Sequence, residues 1–97
     1  MRSVLVQSWA IPDGLRAYLI AVVEDAYYHP PAIFAGADPA HTHRRLDRLR
    51  TKLMGLDPLE AQDLALARKL VVVALAGTPT ARQRRAYEAL LARHLGA

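Results

Sequence analysis

Apolar residues along this chain recur mostly at helical spacing. Leu15, Tyr18, Leu19, Val22, Val23 and Ala26 follow the i, i+3, i+4, i+7 pattern of one helix face. Arg16 and Glu24 fall outside it. Thr42, Leu46, Leu49 and Leu53 make a narrower stripe, and Tyr87, Leu90, Leu91, His94 and Leu95 a third. Between these lies Leu64–Ala76, which is apolar nearly all the way round. At 100° per residue Leu59, Leu66, Leu70 and Val73 share one side of it, Leu64, Val71 and Leu75 another, and Val72 and Ala76 cover much of the rest. A helix with no polar face must be covered from several directions, so the chain is expected to be organised around this segment.

Punctuation divides the helices. Pro12-Asp13-Gly14 opens the first, with Asp13 as cap, and His29-Pro30-Pro31 closes it, because proline lacks the amide and constrains its predecessor. Gly36-Ala37-Asp38-Pro39, Gly55-Leu56-Asp57-Pro58 and Gly77-Thr78-Pro79 each read as a helix stop followed by a new start. In the second of these, Asp57 is the expected cap, Pro58 the first helical residue and Glu60 the partner in a capping box. The helix bodies differ, so this is shared punctuation and not a repeat. The elements predicted are an extended arm over 1–12 and helices over 13–29, 39–54, 58–76 and 79–95, in one domain covering 1–97.

The expected fold is therefore all-α: a compact four-helix bundle with a short extended N-terminal arm. The arm has no convincing partner strand within the chain, and a lone strand leaves its backbone groups unpaired. It must pack across the helices, with Trp9 as the anchor, or pair with a second subunit. Ile33 and Phe34, in the loop over 30–37, are expected to plug a gap between helices or to offer a partner-binding spot. The apolar surface of the 58–76 helix exceeds what three short neighbours cover. This predicts a two-fold dimer whose interface draws on Trp9, Ile33, Phe34, Val71, Val72 and Leu75.

Composition narrows the function classes. Of 97 residues, 53% are hydrophobic and none is Cys, so disulfides and thiolate metal sites are excluded. The start of the chain has too short an apolar run for a signal peptide, and Arg68 and Lys69 interrupt the longest later run, which falls short of the roughly 20 residues of a membrane span. The cytoplasm is the default compartment, and no membrane role is expected. The net charge is +4, a mild bias towards anionic partners.

On the second helix His41, Arg44, Arg45, Arg48 and Lys52 fall within an arc of about 100°. On the last, Arg82, Arg85 and Arg93 share a stripe. Cations on one helical face can meet successive phosphates of a nucleic acid. Arg44, Arg45 and Arg48 have no acidic residue at i±4, so local neutralisation is weak. The competing reading is a solvated or subunit-facing surface, and the lack of any recognisable nucleic-acid motif favours it. The segment after the Gly55 turn is too apolar to lie in a DNA groove.

Catalytic and metal constellations are sparse. His41 and His43 lie about 200° apart on a helix and cannot share an ion. Asp25 and His29, at i and i+4, could form a carboxylate-oriented base, but no nucleophile or phosphate-binding loop accompanies them, and the plainer role is closing the helix end. No catalytic residue, cofactor or metal is expected. The leading expectation is a non-enzymatic interaction or regulatory module that self-associates and presents a surface to a larger protein partner. The alternative is a nucleic-acid-binding accessory protein that uses the arginine-rich faces. An enzyme ranks third.

Overall fold

The computed structural model describes residues 5–77 and 80–95. Its elements, in chain order, are β1 (Val6–Gln7), a 3-10 turn (Ser8–Ala10), α1 (Asp13–Tyr28), a second 3-10 turn (Ala32–Phe34), α2 (Pro39–Gly55), β2 (Pro58–Leu59), α3 (Ala61–Ala76) and α4 (Ala81–Leu95). The four helices pack as one all-α bundle. Its radius of gyration is 12.9 Å, against about 13 Å for a folded domain of some 100 residues. Met1 to Val4, Thr78 and Pro79, to which the expected arm and the start of the last helix extend, lie outside the described residues.

The periodic stripes become the core. Leu15, Leu19, Val23 and Ala26 of α1 are buried, with Tyr18 and Val22 at its margin. Leu46, Leu49 and Leu53 of α2 are wholly inaccessible, and Thr42 is buried above them. α1 packs on both α2 and α3, and α3 also meets α2 and α4. α4 is held by a thin stripe. Leu91 is buried, Tyr87 and Leu90 are partly so, and the Tyr87 ring stacks on Tyr18 of α1 with centroids 4.2 Å apart.

The punctuation holds in one place and fails in another. Asp38 caps α2, its Oδ1 accepting from the Ala40 amide at 3.2 Å, with Pro39 in the first turn. The similar Asp57-Pro58 does not start α3. Pro58 and Leu59 are extended and pair antiparallel with Gln7 and Val6, in the register Val6↔Leu59 and Gln7↔Pro58. The arm therefore does have a partner inside its own subunit, contrary to expectation. Two causes act together. Extended backbone here lets Leu59 bury completely. Glu60 and Asp63 offer a second start, in which Asp63 Oδ2 accepts the Glu60 amide at 3.0 Å, so the helix begins at Ala61.

Two further local expectations are corrected. Gly55 is the last residue of α2, and Leu56 takes the left-handed cap conformation at φ 59°. Gly55 is helical, and a Cβ there would lie 3.1 Å from Oδ2 of the exposed Asp57 side chain, a contact that a small shift of the carboxylate relieves. In the arm, Trp9 is 65% exposed and anchors nothing. Ile11 and Ser8 are the buried residues, and the Ser8 hydroxyl donates to the Lys52 carbonyl oxygen at 3.3 Å.

Candidate functional site: a groove beside the third helix

Three faces of α3 are covered by α1, α2 and α4. Along the fourth run Ala65, Arg68, Lys69, Val72 and Val73, at i, i+3, i+4, i+7 and i+8. Opposite them the second 3-10 turn presents Ile33 and Phe34, followed by Ala37, while α2 contributes Arg45. Together they bound an open groove of about 620 Å³. The wall is apolar and partly bare: Val72 is 64% and Ile33 49% exposed. The rim is cationic, with Arg45, Arg68 and Lys69 and no carboxylate among the lining residues. Neither Arg45 nor Lys69 forms an ion pair with a described residue.

The structure thus gathers Ile33, Phe34 and Val72 into one place and separates them from the other expected interface residues. Val71 and Leu75 are buried within the subunit. They cannot contribute surface to a partner, because the neighbouring helices already enclose those faces of α3. Trp9 is exposed, but on the arm, beside the end of α2. Phe34 plugs the gap below the loop as expected, whereas Ile33 points outward. Arg68, Lys69, Val73 and the two alanines are not among the interface residues expected from the sequence. Their signal there is the i, i+3, i+4, i+7, i+8 set that carries both cations of α3.

The basic stripes part company. Arg48 reaches Glu60 at 2.9 Å and Asp63 at 3.5 Å, and Lys52 reaches Asp63 at 2.7 Å and Glu60 at 3.7 Å. Local sequence suggests weak neutralisation; the carboxylates come instead from the α3 N-terminus. Arg50 is likewise paired, with Glu24 at 3.3 Å. Arg44 is exposed and makes no ion pair with a described residue. On α4, Arg82, Arg84, Arg85 and Arg93 are all exposed, and none forms an ion pair with a described residue. One stripe is drawn into the α2–α3 junction and the other is left to solvent.

Asp25, His29, His41 and His43 line no part of the groove. The His29 amide donates to the Asp25 carbonyl oxygen at 2.7 Å and closes α1, while both side chains lie exposed along a shallow surface with Ala17, Ile20, Ala21, Glu24 and Tyr28. That surface offers no serine, threonine or cysteine for an acyl or phosphoryl transfer. The His43 ring lies 4.7 Å from that of Tyr27, on the α1 side, whereas His41 faces Gln62 and Leu66 of α3. The two histidines diverge as helix geometry requires. Among the described residues no three metal-ligating side chains converge, and no helix is long and apolar enough to cross a membrane. Compared with protein-family models, with curated proteins and with solved structures, the chain matches none.

Proposed function

We propose that this chain is a non-enzymatic docking module whose working surface is the groove between the second 3-10 turn and α3. The observation that carries this reading is the exposed fourth face of α3. A face bearing Val72 and Val73 beside Ile33 leaves several apolar side chains in water around one open groove, which supports an interaction surface better than the same residues scattered singly would. The groove is open, so it favours a macromolecular partner over a small molecule held in an enclosed cavity. Self-association belongs to the same reading but to a different surface. Leu5, Trp9, Met54 and Leu56 are all exposed where the arm lies beside the end of α2, and a second copy is placed there.

Site-specific photocrosslinking in producing cells tests the groove. A crosslinker at position 72 is expected to give a discrete adduct that Ile33→Asp abolishes, whereas one at position 28 gives none. No adduct from position 72 would remove the docking reading. Light scattering tests the other surface: Trp9→Ser is expected to shift the equilibrium towards the 10.7 kDa monomer.

A second reading is favoured by a specific observation, the solvent-facing arginines of α4. Backbone-dominated nucleic-acid binding would use Arg82, Arg85 and Arg93, with little from Arg48 or Lys52, whose charge Glu60 and Asp63 already offset. Reversing the three α4 arginines to Glu would then abolish a low-salt mobility shift with DNA or RNA, and Arg48→Gln would not. For every phosphate no longer neutralised, the log–log salt dependence flattens by about 0.9. No shift at low salt eliminates this reading.

A further inference from the structure

We infer that the occupant of the groove is an amphipathic α-helix of a partner protein, with Asp or Glu flanking its apolar face; this rests on the docking reading above. Helix is indicated by the shape of the floor. Ala65, Arg68, Lys69, Val72 and Val73 form ridges at i±3 and i±4, the surface into which another helix interdigitates. Ala65 and Ala37 are small and allow close approach. The groove offers no strand edge, since no residue of β1 or β2 lines it. From Ala65 to Val73 the face is about 12 Å long, so it receives roughly two turns of a partner.

Acidic flanks follow from how the charges are distributed. The carboxylates that reach the α2 stripe, Glu60 and Asp63, are engaged with Arg48 and Lys52. Arg45 and Lys69 stand at the groove with no carboxylate of their own among the described residues. A partner with acids at its edges gains complementary contacts and faster association. A second copy meets the opposite situation. Two-fold pairing groove to groove brings the Arg45 and Lys69 cations of one copy up to those of the other, which places self-association elsewhere.

The test is selection of a displayed random peptide library, about three to four helical turns in length, on the full chain, followed by affinity measurement. The expected binders carry apolar residues at i, i+3 or i+4, and i+7, bear net negative charge, and become helical when bound. Val72→Asp and Ile33→Asp should each weaken them about tenfold or more. Both positions are solvent-exposed, and circular dichroism confirms that the variants are folded. The double variant Arg45→Glu with Lys69→Glu should weaken acidic binders and leave neutral ones unchanged. Groove-dependent binders that are basic, or that bind in an extended conformation, would overturn this inference and leave the docking reading standing. If no selected peptide responds to Val72→Asp or Ile33→Asp, both fall. If Val72→Asp converts a dimer to a monomer, the occupant is a second copy and the inference is wrong.

Discussion

The Lys52 ammonium lies 2.7 Å from Asp63 Oδ2, the same oxygen that accepts the Glu60 amide at 3.0 Å. One buried carboxylate therefore caps α3 and fastens it to α2, and the Lys52 carbonyl oxygen in turn receives the Ser8 hydroxyl of the arm. Removing it leaves the largely buried Lys52 ammonium only the looser Glu60 contact at 3.7 Å and takes the acceptor from a helix-terminal amide. Asp63→Ala is expected to cost about 2–4 kcal/mol. Asp63→Asn restores an acceptor for the amide but not the charge, and should recover about 1 kcal/mol of that loss. Urea titrations of the two variants measure the difference directly.

Leu56 presents the reverse case, a native residue in a conformation that disfavours it. At φ 59° its Cβ is crowded by the backbone, at a cost of about 1–2 kcal/mol. Leu56→Gly removes that cost and adds roughly 0.5–1 kcal/mol of unfolded-chain entropy. The variant should gain up to about 1 kcal/mol, seen as a thermal midpoint several degrees higher.

The arm supplies a paired comparison. Ile11 is buried and should lose about 2–4 kcal/mol on truncation to Ala. Trp9→Ser, at an exposed site, should change the monomer's stability by no more than about 0.5 kcal/mol. Denaturation at low protein concentration separates this effect from any loss of self-association.

Tyr18 links stability to alkaline pH. Burial, and then the neighbouring Tyr87, raises the pKa of its phenol above the ordinary 10.0. The folded state therefore holds the proton more tightly than the unfolded chain. This contribution is complete below pH 10 and is lost as pH rises from there through the folded-state value. Tyr18→Phe should flatten the alkaline decline in stability. The ultraviolet tyrosinate titration should lose its latest phase in the same variant.

Periodicity makes α1 and α2 legible, because each has one wet face and one dry one. It fails for α3. Where every side is apolar, sequence cannot tell Val71, which is enclosed, from Val72, which is bare; only the neighbours decide. Two-residue strands carry no detectable alternation, so the pairing of Val6 with Leu59 has no local signature. The partners of Arg48 and Lys52 are hidden for a related reason: Glu60 and Asp63 lie a turn and a strand further along the chain. What can be read in Ile33, Phe34 and Val72 is their apolar character. Their convergence depends on how the 3-10 turn is set down across α3.

The pairing of β1 with β2 also bears on the order of assembly. Leu59 follows its partner Val6 by 53 positions. During synthesis the arm leaves the ribosome long before the segment it must meet, and a loop holding all of α1 and α2 has to close first. The α1–α2 hairpin can form in that interval, with its leucines already together. Late docking of the arm, as a clasp on helices already in contact, is the order this separation favours, and the arm's amides would then be the first to exchange.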